Sequence, residues 1–175
     1  MSNIDTIAYA RAGRMFTCSN VSAKIVTVVG TAMTGLVLSN PVGSGKYLSF
    51  MTAGFSHSTA LSSISSIGIA ISPVQPTVPA SVTAGGAVIK SATGAAGTSV
   101  ADTYDAATLG VACVVARWMF GDAWITAGTG IFPYTFIDKI DGELGLMPGA
   151  SAALCMIGGT GPTGMGSISY VEVDI

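Results

Sequence analysis

The feature that most constrains this chain is a gap in its charge. Between Lys46 and Lys90 lie 43 consecutive residues without a formally charged side chain. A run of that length either crosses a membrane or folds so that other protein covers it. Its content decides against the first. Residues 54–86 read GFSHSTALSSISSIGIAISPVQPTVPASVTAGG, studded with Ser, Thr, Pro and Gly. A membrane-spanning helix needs about 20 predominantly apolar residues, and no such stretch occurs here or elsewhere. The next most apolar region, Gly110 to Phe120, contains Arg117 and runs straight into Asp122. The opening MSNIDTIAYARAGRMF lacks the basic-then-apolar order of a secretory signal. An aromatic content of 7% argues against a transmembrane barrel with aromatic girdles. The expectation is a soluble protein made in a cytoplasm, without membrane partners.

Composition removes further classes. Half of the 175 residues are apolar and 9% are charged, against about 25% charged in an average soluble domain. Seven scattered cations cannot build the basic stripe that phosphate neutralisation requires, so no nucleic-acid partner is expected. Disorder is excluded by high apolar content and a net charge of -2. Cys18, Cys113 and Cys155 are odd in number, widely spaced and without a CxxC pair. They read as small buried hydrophobes in a reducing compartment, and one His with three such thiols gives no zinc spacing.

Strand chemistry dominates the chain. Lys24–Val29, Leu36–Ser39, Tyr47–Thr52, Ile67–Ile71, Val111–Arg117, Leu154–Ile157 and Ser167–Val173 are short β-branched or alternating runs bounded by turn residues. In the last of these Val171, Val173 and Ile175 share one face, and Tyr170, Glu172 and Asp174 the other. One helix is expected, at Asp102–Leu109, from an Asp cap and the Gly110 stop. Asn40–Gly45 reads as a turn, Ser72–Gly86 as a long proline-bearing connection, and Asp141–Gly142 as a hairpin turn. Gly158–Gly166 reads as a glycine-rich tip. These runs predict an all-β protein, an antiparallel sandwich or barrel with long Gly/Pro-rich loops and at most one short helix. Residues 1–16 form an N-terminal arm and 17–175 a single domain.

Four constellations could carry chemistry. Gly43-Ser44-Gly45-Lys46 has the end of a phosphate-binding loop, but Asn40 stands in place of its first Gly and Tyr47 in place of Ser/Thr. A strand follows where a helix is needed, so the segment is a turn. Ser56-His57-Ser58 sets hydroxyls beside the single imidazole, yet adjacent strand residues point to opposite faces. Asp138, Asp141 and Glu143 form an acidic cluster whose spacing misses the alternation of a calcium loop. No cofactor, metal or catalytic residue is assigned.

The remaining candidates are contacts with other proteins. Arg11 and Arg14 lie close together in Tyr9-Ala-Arg-Ala-Gly-Arg-Met-Phe16, and Arg with aromatic residues is the pairing that interfaces favour. That segment reads either as an arm docked on a partner or as an extension with Phe16 in the core. Trp118 and Trp124, with Met119 and Phe120 between them, exceed what one strand face can bury, so part of the group is available to a second subunit. Tyr9, Arg11, Arg14, Phe16, Trp118 and Trp124 are therefore the candidate partner-contact residues. Sixteen charges cannot cover the surface of a domain this size, so its faces and edges are expected to meet other subunits.

The blocks YARAGRMF, TGLVLSNPVGSGKYLSF (Thr34–Phe50) and ELGLMPGASAALCMIGGTGPTGMGSISYVEVDI (Glu143–Ile175) resemble small virion structural proteins of tailed bacteriophages. The resemblance covers about half the chain in three blocks, and residues 72–107 fall outside it. It implies a jelly-roll-like sandwich, often a homotrimer, attached to the capsid exterior as a decoration or cement protein. Its implied partners are further copies of itself and the major capsid protein. It supplies no catalytic residues. Two other readings stand beside it: a tail or head-fibre component, and a carbohydrate-binding sandwich using Trp118, Trp124 and the acids near Asp138. A hydrolase centred on His57 ranks last.

Overall fold

The computed structural model of the chain describes residues 3–58, 65–95, 98–122, 135–156 and 163–175. A helix, α1 (Asn3–Arg11), is followed by β1 (Met15–Ser19), β2 (Lys24–Ile25), β3 (Ala32–Ser39), β4 (Lys46–His57) and β5 (Ser65–Ser72). Next come β6 (Ala80–Ala84), β7 (Ile89–Lys90), β8 (Asp102–Thr108) and β9 (Val114–Asp122). The chain closes with β10 (Thr135–Lys139), β11 (Gly145–Leu146), β12 (Ser151–Met156) and β13 (Thr163–Asp174).

The strands form two antiparallel sheets. One runs β10-β4-β13-β1-β7, with β11 extending β10 along β4 and β2 extending β1 along β13. The other runs β6-β8-β3-β12-β5-β9. Take β1, β3, β4, β5, β9, β10, β12 and β13 as strands one to eight. The first sheet then reads one-eight-three-six and the second two-seven-four-five. That interleaving is the jelly roll, two Greek keys folded over each other. The segment between β5 and β9 adds β6 and β8 beyond β3 and β7 beyond β1. Successive strands often cross between sheets, so each sheet buries one face against the other.

The main core lies between them. Phe16, Phe50, Phe55, Ile168 and Tyr170 from the first sheet meet Leu36, Leu38, Ile67, Ile69 and Leu154 from the second. Phe16 and Tyr170 stack with ring centroids 5.8 Å apart. Burying a side chain of this size is worth about 1.5–3 kcal/mol. β13 turns its Tyr170–Glu172 face inward. Tyr170 is fully buried, and the buried Glu172 carboxylate accepts from Ser99 Oγ at 2.6 Å and Val100 N at 2.9 Å.

A second apolar cluster lies on the outer face of the six-stranded sheet. The register row Val115–Ala70–Ala153–Val37–Tyr104 crosses five strands. Val29, Leu109 and Cys113 pack against this cluster from the loops. Those loops are tied down by Leu109 N to Thr31 O and Cys113 N to Gly30 O. This outer layer is why Cys113 and Cys155 are buried along with Cys18.

Four expectations need correction. Asp102–Thr108 is a strand, not a helix: β8 is hydrogen-bonded to β3 on one side and β6 on the other. The helix is instead α1, in the segment expected to be an arm. Asp141–Gly142 makes a turn, with φ of 50° and 88°, but not a hairpin. The strands on either side of it, β10 and β11, both pair with β4 rather than with each other. Of Lys24–Val29 only Lys24–Ile25 is a strand, and Gly164 and Gly166 of the expected tip belong to β13.

Candidate functional site

At one end of the sandwich three loops converge: 40–45, 73–79 and 147–149. Two buried amides hold them together. Asn40 Nδ2 donates to Lys46 O at 2.8 Å and Leu146 O at 2.9 Å, and Asn40 Oδ1 accepts from Ser44 Oγ at 2.7 Å. Gln75 Oε1 accepts from Val111 N at 3.0 Å, and its Nε2 donates to Ser72 Oγ. Five prolines, Pro41, Pro73, Pro76, Pro79 and Pro148, stiffen these loops. Their tips expose Val42, Val74, Val78 and Met147, and none of the three segments contains an ionisable residue. The end is therefore a proline-stiffened knob with apolar tips and the exposed Asp102 at its base, and it needs little ordering to be covered.

The phosphate-loop lookalike belongs to this end and is a turn, as read from the sequence. Gly43 and Gly45 take φ of 75° and 66°, values that glycine adopts without cost. Lys46 Nζ is engaged by Asp174, which also binds Arg14 Nη2 at 2.6 Å. These two cations hold the Asp174 carboxyl below its ordinary pKa.

The six-stranded sheet carries few charges. β3, β5, β6 and β12 have none, β8 has Asp102 and Asp105, and β9 has Arg117 and Asp122. Asp105 is buried and accepts from Val21 N at 2.9 Å and Ser22 N at 3.4 Å, so its charge is directed inward. Trp118 lies over Gly68 on the outer face and is 43% exposed.

The acidic cluster is an ion-pair group. Arg117 on β9 reaches Asp138 on β10 through Nε at 2.7 Å and Glu143 through Nη1 at 2.5 Å. Among the described residues no group of three or more His, Cys, Asp or Glu is arranged to hold a metal ion. The His57 ring sits edge-on to Phe55 and Phe136, with centroids 5.1 and 5.8 Å away.

The structure separates the sequence-selected contact residues. Phe16 is buried against Tyr170 and is core, the second of the two readings made for its segment. Tyr9 is half-buried on α1, Arg11 is exposed at the helix end, and Arg14 is drawn back to the chain's own Asp174. Trp118 stays accessible on the opposite edge from these. Trp124 lies outside the described residues. The proline-rich knob was missed because its residues are far apart in sequence; the signal was the shared Pro-Val chemistry of NPVG, SPVQPTVP and MPG. No protein-family model, curated protein or solved structure matches the chain.

Proposed function

We propose that this chain is a non-enzymatic virion structural protein, a decoration or cement protein that oligomerises on the outside of a phage capsid and reinforces the shell. One observation carries the reading: the loop end of the jelly roll exposes Val42, Val74, Val78 and Met147, and its three segments hold no ionisable residue. Monomers in water keep apart through hydrated, charged surfaces. A proline-stiffened end with exposed apolar tips is suited to lasting contact with other subunits. Jelly rolls recur in capsid components because the sandwich is rigid and presents flat sides and loop ends to neighbours. The sequence resemblance points to the same class, with copies of the chain and the major capsid protein as partners.

The test is co-sedimentation of purified protein with capsids lacking it, paired with native mass spectrometry of the free chain. Saturable capsid binding and a mass that is a multiple of 17.5 kDa are expected. A monodisperse monomer at micromolar concentration that ignores capsids overturns the proposal.

A further inference from the structure

The two lateral edges of the sandwich carry opposite charge. One edge is built from β1 and β2, which both pair with β13, from β7, which pairs with β1, and from α1, which packs on β1. These elements and the turn after α1 hold Arg11, Lys24 and Lys90, together with Arg14, which is paired with Asp174 of β13. The opposite edge is built from β9, β10, the turn after it and β11. It holds Asp138, Asp141 and Glu143 against Arg117 and Lys139. Among the described side chains the first flank thus carries an excess of cations and the second an excess of acids.

Both flanks also present apolar side chains. Ile7 is 54% and Ile25 49% exposed on the cationic side, and Ile137 is 73% exposed on the acidic side. At the acidic edge Glu143 is 70% exposed, so its charge projects beyond the pair with Arg117. Among the described residues β7 and β10 end the seven-stranded sheet, and sheet edges favour pairing with another chain.

We propose that the partner on these edges is a second copy of this chain, docked head to tail, with its α1–β1–β7 edge against the β9–β10 edge of the first. Surfaces of opposite sign on opposite flanks cannot make a self-complementary twofold contact, since like charge would meet like. They make a heterologous contact, which closes into a ring when the rotation per subunit allows. Sign complementarity fixes register and speeds encounter, while the flanking apolar residues supply the buried area. This rests on the proposed function and deepens it by assigning the surfaces for self-assembly, leaving the proline-rich end to the capsid.

The experiment reverses each flank. Arg11→Glu/Lys90→Glu inverts the first, and Asp141→Asn/Glu143→Lys the second, Asn being tolerated at the positive φ of position 141. Each variant alone is expected to weaken assembly on the order of tenfold or more, read as loss of the multimer in native mass spectrometry. Combining all four changes in one chain restores self-assembly, because the reversed flanks are again complementary. The wild-type multimer also dissociates as salt rises from 50 to 500 mM, a readout independent of how the variants fold. A wild-type monomer, or a multimer whose mass survives both single-flank reversals and high salt, overturns the inference. Capsid binding is measured separately. Binding by a chain that never self-assembles sinks the edge contact but not the decoration role, and a salt-sensitive ring that ignores capsids does the reverse.

Discussion

Arg117 joins the free edges of the two sheets: its Nε lies 2.7 Å from Asp138 Oδ2, with Arg117 on β9 and Asp138 on β10. The same guanidinium reaches Glu143 beyond the turn that follows β10. One residue thus ties the two sheets together on this side of the sandwich. The two carboxylates raise the Arg117 pKa, Asp138 foremost.

The two acids differ in exposure, 21% for the Asp138 side chain and 70% for Glu143. A shielded pair is screened less by salt than an exposed one. Asp138→Asn is therefore expected to lower the melting temperature more than Glu143→Gln. The Asp138→Asn deficit persists at 1 M salt, while that of Glu143→Gln vanishes. Equal, fully salt-screened deficits would show that Arg117 bridges nothing of structural weight. Thermal melts of both variants at two salt concentrations decide it.

Gly68 admits no larger residue. A Cβ there would stand 2.5 Å from the carbonyl oxygen of Arg117 and 2.7 Å from Trp118 Cε3. The first contact is with backbone held in the β5–β9 ladder, which cannot yield without breaking pairs. Gly68→Ala is expected to cost about 1–3 kcal/mol, the range for overpacked sites. At Gly166 the added Cβ meets chiefly the end of the Leu154 side chain, which can rotate, so Gly166→Ala should cost less. Urea unfolding of the two variants tests the order, and a harmless Gly68→Ala would mean that the two strands separate easily.

The sequence was informative wherever a strand carried its own pattern. Tyr47–Thr52 and Ser167–Val173 lie inside β4 and β13, the two longest strands. What local pattern cannot carry is partnership: Cys18 and Ile168 sit opposite each other, 150 positions apart. The jelly-roll order depends on such pairs. Asp102–Leu109 failed for the same reason. Its Asp and Gly would cap a helix locally, but β3 and β6 each offer a ladder that a helix cannot use. Thr103, Tyr104 and Thr108 also favour that choice. α1 went unseen because it has no pronounced apolar face. Among the contact candidates, Trp118 was legible as a large apolar residue in excess of need. The charge segregation of the flanks was not, since it appears only once β7 is set beside β1 and β10 beside β4.

The three thiols should be chemically silent in the folded protein. Burial pushes Cys18 and Cys155 up to about 12 and Cys113 up to about 11. Thiolate is the reactive form, so at pH 8 a disulfide-exchange reagent is expected to titrate no thiol in native buffer and three in denaturant. Because the folded values lie above the unfolded value, these groups favour the native state at neutral pH and lose that contribution as pH rises from about 9 toward 12. Rapid labelling of one native thiol would locate a loop that opens, Cys113 being nearest the surface.

Asp174 sets the acid side of the stability profile. Hydrogen bonds from Lys46 and Arg14, then their charges, lower its pKa in the folded state. A carboxyl so lowered stabilises the fold at pH values above the ordinary carboxylate range and loses that contribution as pH falls through its folded value. Asp174→Asn removes the titrating group and leaves Arg14 and Lys46 facing each other. The melting temperature of the variant should lie below wild type at pH 7, and the two curves should converge as pH falls toward 2. High salt should narrow the gap at pH 7, since the pair is exposed. The structural consequence is local: Arg14 precedes β1, Lys46 opens β4 and Asp174 ends β13, so one carboxylate pins three adjacent strands at the same end of the sheet. Curves that stay parallel down to pH 2 would show that the ion pairs contribute nothing to holding those ends.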